Sequence, residues 1–174
     1  MNRHALRLAL QRLYVALMLW VIGRALAATS QVDASVRVDL APLPEGYQIQ
    51  MRVLPQGPGF VVECLGNGSL NRARVVKPRP DLSIDFKHVS HAFLVLAFQE
   101  STAQAFANDR MVADGDVSHA IRLVRCLNTM EALILPRWVA KRTVKRYPKL
   151  PAADKTRKAM RIYALLAKNI LLLK

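Results

Sequence analysis

An α+β fold is predicted by two changes of hydrophobic period and by one pattern of charge. Between residues 35 and 86 apolar and polar residues alternate, as they do on half-buried strands. On either side of that stretch the apolar residues recur at helical spacing. Charge divides the chain in the same way. Residues 1–30 carry a net +4, residues 31–133 a net −1 and residues 134–174 a net +11, giving +14 in all. The expectation is a five-stranded, mostly antiparallel curved sheet covered by helices, with a further helix at each end.

The elements follow in order. Residues 4–28 read as one helix, with Arg3, Arg7 and Gln11 near one face and leucines opposite. The alternation of Ser35 to Leu40 predicts a strand, followed by a turn at Pro42, Pro44 and Gly46. Residues 47–53, 60–65, 70–76 and 81–86 are further strands, in a meander. Gly66-Asn67-Gly68 is a hairpin signal between two of them. From His88 to Phe98 the period is helical, and Ser101 with Gln104 fits a capping box that opens a short helix. Met111 to Ala113 reads as an edge strand. Asp116 is placed to cap a long helix that runs to about Leu133 and is broken by Pro136. A short basic helix over 137–147 and an amphipathic one over 152–173 complete the chain. The organisation is an N-terminal helix (1–29), a body (30–135) and a basic tail (136–174).

At 52% apolar and 22% charged residues, the chain can bury a core. Cys64 and Cys126, the only cysteines, are too few for a disulfide scaffold. His88 and His91 could share a helix face, but zinc needs at least a third ligand. The pair reads as two polar residues on a solvated face, and no metal is expected. Asp114-Gly115-Asp116 reads as a turn and a cap rather than a calcium loop. Gly66-Asn67-Gly68-Ser69 joins two strands and is no nucleophile elbow. With no phosphate-cradling loop and no dinucleotide fingerprint, neither an enzyme nor a cofactor is expected.

The N-terminal segment has two readings. Its uncharged run, residues 13–23, is shorter than the roughly 20 residues that span a hydrocarbon core. A retained helix is the first reading. A signal peptide cleaved after Ala25-Leu26-Ala27 is the second, and it would make the protein exported.

Residues 80–124 carry a resemblance. Pro80-Asp81-Leu-Ser-Ile-Asp-Phe86, then Ala105-Phe106, then Gly115-Asp116 and Ala120-Ile-Arg-Leu123, resemble the sterol carrier protein type 2 family over roughly residues 30–133. Asp109 stands where that family has a turn glycine, and Asp tolerates the left-handed backbone better than most residues. Gly115-Asp116 and Leu135-Pro136 are loosely similar to a subgroup, a bacterial accessory factor of ubiquinone biosynthesis. The resemblance implies an apolar tunnel between sheet and helices that holds an acyl or isoprenoid chain. Phe86, Phe93, Leu94, Phe98, Phe106, Ile121, Val124 and Leu127 are the candidate lining.

Function is therefore read as a non-catalytic lipid carrier on an anionic membrane surface, peripheral to it from the cytoplasm. Trp20, Trp138, Lys141, Arg142, Lys145, Arg146, Lys158 and Arg161 are the candidate membrane contacts, since tryptophan and basic residues favour that interface. Enzymes of lipid or quinone metabolism are further candidate partners. The alternative is a scaffold that binds partner proteins through its terminal helices and holds no lipid. Nucleic acid is the weakest partner, because few aromatics stand among the basic residues.

Overall fold

A computed structural model describes residues 3–135 and 152–171. It contains α1 (Arg3–Val32), α2 (Ala34–Leu40), β1 (Gln48–Val53), β2 (Gly59–Cys64), β3 (Leu70–Arg72), β4 (Leu82–Phe86), α3 (Val89–Leu96), α4 (Thr102–Ala107), β5 (Met111–Asp114), α5 (Val117–Ile134) and α6 (Ala152–Leu171). The fold is α+β, with one five-stranded sheet in the order β3-β2-β1-β4-β5. Three of its four pairings are antiparallel, but β1 and β4 run parallel, with Met51 opposite Ile84. The sheet is mixed, which corrects the meander.

A chain that leaves β3 and returns beside β1 must cross β2, and Gln48 holds that crossing in place. Its side-chain amide donates to the Val75 carbonyl at 2.6 Å and accepts from the Lys77 amide at 2.8 Å. The Asp81 carboxylate then accepts from the Gln48 backbone at 2.8 Å, which starts β4 next to β1.

A second correction concerns residues 35–40, which form α2 and not a strand. Asp33 is the reason. One of its oxygens accepts from the Ser35 amide at 2.9 Å and from the Val36 amide at 3.3 Å, satisfying the free donors of a helix start. The fifth strand is instead β5, the segment read as an edge strand. The expected punctuation stands elsewhere. Ser101 and Gln104 form a capping box, Asp116 caps α5 through Ser118, and α5 ends just before Pro136. Asp109 adopts φ +55°, the left-handed turn its side chain tolerates.

The long helix α1 packs on β2, β3, α3, α5 and α6. Val15, Leu19 and Leu26 are its inner side and are fully buried. In its last turn Ser30 is buried, and its hydroxyl donates to the Ala27 carbonyl at 2.7 Å and accepts from the Leu70 amide at 2.8 Å. By length and composition Ala5–Val32 could cross a membrane, yet half of its most apolar window is buried against the rest of the fold. The C-terminal helix is also part of the body. Ile162 and Leu166 lie in the core, and Tyr163 donates to the Ile134 carbonyl at 2.8 Å. The predicted helix over 137–147 falls outside the described residues.

Candidate functional site

The outer face of α1 has the opposite character from its inner one. Leu6, Leu10, Leu13 and Leu17 repeat at helical spacing and are exposed, Leu13 by 68%. Exposed apolar residues are ordinary singly, but a contiguous row marks an interaction surface. Beside this row α3 supplies Phe93, whose ring meets Tyr14 edge-on with centroids 5.3 Å apart. The Tyr14 hydroxyl donates to the Leu96 carbonyl at 3.1 Å, which fixes α3 against α1. The result is a shallow apolar groove of about 530 Å³, lined by Leu10, Leu13, Leu17, Tyr14 and Phe93, with Arg7 and Gln11 at its polar edge.

Further along the same helix lies a second cleft, of about 650 Å³, between α1 and the β1-β2-β3 side of the sheet. Trp20, Arg24, Phe60, Arg72 and Arg74 line it. The Arg24 guanidinium sits 3.8 Å from the centre of the Trp20 ring, and it donates to the Trp20 carbonyl. Burial, and then the neighbouring charge of Arg72, hold the Arg24 pKa below its ordinary value. Gly23 makes the close approach possible: a Cβ there would stand 2.7 Å from the Phe60 ring.

The residues expected to line a tunnel are dispersed. Phe86 is buried in the core from β4. Phe93 lines the α1 groove, while Phe98 lines a separate small cleft with Glu100 and Glu131. Leu94, Phe106, Val124 and Leu127 are half-buried, and Ile121 is 51% exposed. Of the expected membrane contacts, Trp20 lies at the rim of the arginine cleft and Arg161 is exposed. Lys158 is engaged inside the fold, 2.7 Å from Asp33. Trp138, Lys141, Arg142, Lys145 and Arg146 lie outside the described residues.

His88 and His91 do meet, with ring centroids 5.1 Å apart, and His91 Nδ1 is buried without a partner. Burial, then His88 and Arg110, keep the His91 pKa below its usual value. Among the described residues no three His, Cys, Asp or Glu side chains converge as a metal site.

The sequence left the arginine cleft unnoticed. Trp20 and Arg24 are an i, i+4 pair, which is a visible signal. Nothing local says that β3 will bring Arg72 beside them.

No protein-family model matches the chain, and no curated protein matches it. Several solved structures do. The conserved hypothetical protein TT1886 of Thermus thermophilus is 15% identical, with a TM-score of 0.45 over 71% of this chain and 87% of that one. The sterol carrier protein domain 2 of Helicoverpa armigera is 13% identical, with a TM-score of 0.41 over 62% and 84%. A ubiquinone synthesis protein, UbiJ-SCP2, is 11% identical, with a TM-score of 0.37 over 59% and 95%. At these identities the likeness is one of fold: the chain is similar to sterol carrier protein 2 domains.

Proposed function

We propose that this chain is a lipid-binding protein that takes an acyl or isoprenoid chain, quinone precursors among them, at an anionic membrane surface. The observation that carries the reading is the leucine row of α1 with the groove it forms against Phe93. That row stands in a segment with four arginines and no acid, so apolar contact and attraction to anionic lipid act together. Half of the most apolar window of α1 is buried in the fold, so the helix would lie on the surface with its outer face down rather than leave the fold.

The test is flotation of the full chain with vesicles. Wild-type protein should float with phosphatidylglycerol-rich vesicles and much less with phosphatidylcholine alone. Leu13→Glu with Leu17→Glu changes exposed positions, so stability should stay within about 0.5 kcal/mol. The same variant should lose flotation. Mass spectrometry of an organic extract of gently purified protein would name the ligand. A variant that floats as well as wild type, together with an extract free of lipid, would turn the reading towards a protein scaffold.

A further inference from the structure

The outer face of α1 continues past the leucines. Leu10, Leu13, Leu17, Trp20 and Arg24 are spaced so that all five lie within one stripe of the helix. The apolar groove therefore leads to the arginine cleft without a break in that face. At the cleft the character changes. Arg24, Arg52, Arg72 and Arg74 line it, and among the described residues no carboxylate does. Arg52 is matched by Asp85 at 3.1 Å. Arg24, Arg72 and Arg74 take part in no ion pair among the described residues. Like charges gathered without an acid repel one another and are relieved by an anion. Trp20 and Phe60 supply apolar surface beside them, and a volume of about 650 Å³ lies within the roughly 300–1,000 Å³ usual for small-ligand sites.

We infer that this cleft holds the anionic head group, carboxylate or phosphate, of a single-chain amphiphile. Arg24, Arg72 and Arg74 supply the counter-charge, and Trp20 and Phe60 pack on the first methylenes of the tail. The inference rests on the lipid-binding reading above and adds the charge and the position of the head.

The experiment is displacement of a fluorescent fatty acid, cis-parinarate, from the full chain. Oleate and a long-chain alkyl phosphate should displace it at least about tenfold better than oleyl alcohol, which has the same kind of tail and no charge. Arg24→Gln and Arg72→Gln should each weaken oleate about tenfold and leave oleyl alcohol unchanged. Arg72→Gln removes repulsion and no side-chain bond, so its melting temperature should not fall, whereas Arg24→Gln also gives up the contacts with Trp20. Arg74→Gln, at an exposed position, gives a third reading of the same sign should either variant melt early. Equal affinity for oleate and oleyl alcohol in wild type, or no response to the arginine variants, would overturn the head-group assignment while lipid binding stands. Failure of wild type to bind any tailed probe would overturn both. Displacement by inorganic phosphate or by a single-stranded oligonucleotide as effective as by oleate would overturn the amphiphile in favour of a general anion site.

Discussion

The Lys158 ammonium lies 2.7 Å from Oδ2 of Asp33 and so joins α6 to the junction between α1 and α2. The other oxygen of the same carboxylate caps α2 through Ser35 and Val36. One buried side chain thus starts a helix and anchors another, 125 residues later in the chain. The basic tail is consequently not a free appendage along its whole length. Its last helix commits two cations to the body of the protein, Lys158 and Lys155, whose ammonium donates to the Leu135 carbonyl at 3.0 Å, together with an apolar side, Ile162 and Leu166.

Removing Asp33 should therefore cost more than removing Lys158. Asp33→Ala deletes a cap, worth about 1 kcal/mol, and leaves an ammonium without its partner, so a loss of about 2–4 kcal/mol is expected. Lys158→Met leaves the carboxylate with its Ser35 and Val36 donors, and about 1–2 kcal/mol is expected. Burial works against the Asp33 charge, but the hydrogen bonds from Lys158 and Ser35, the Lys158 charge and the Val36 amide outweigh it and hold its pKa below the ordinary value. A depressed carboxylate contributes stability above its unfolded pKa of about 3.9, and loses it as pH falls through the lower folded value. Urea midpoints of wild type and Asp33→Asn should differ at neutral pH and converge in strong acid. A constant gap across that range would mean that the carboxylate charge contributes nothing.

Both thiols are buried, Cys64 in β2 and Cys126 in α5. Burial first, with nearby carboxylates behind it, pushes each pKa up to about 12. The thiolate is the reacting form, so iodoacetamide at neutral pH should label neither residue in the native protein and both in urea. Labelling then reports opening of the core. Asp33→Ala should raise the rate at both cysteines together. Labelling of Cys126 alone in native wild type would show that α5 opens apart from the sheet.

The boundary between legible and illegible lies at particular residues. Caps and turns were legible, because Ser101, Asp116, Asn67 and Asp109 act within a few residues of themselves. The parallel pairing of β1 with β4 was not, because a strand shows the same alternation whichever way its neighbour runs. That direction is decided by Gln48 gripping a loop nearly thirty residues away. The groove was half legible. The leucines of α1 are plain in the sequence, while Phe93 is expected in a tunnel lining and the arginine cleft depends on β3 folding back onto α1.

The segment over residues 35–40 shows how a short pattern can satisfy two periods, and it gives the sharpest mutational test of the fold. Val36, Val38 and Leu40 alternate, so on a strand all three would share one face. On a helix only Val36 and Leu40, at i and i+4, do so. The structure places those two at full burial and leaves Val38 70% exposed. Val36→Ala should then cost about 2 kcal/mol, for the lost burial and the space left behind. Val38→Ala should be neutral or slightly stabilising, since alanine is the better helix former at an exposed site. Equilibrium urea denaturation of the two variants separates the readings. Similar losses at both positions would return the segment to a strand, and would undo the capping role of Asp33 with it.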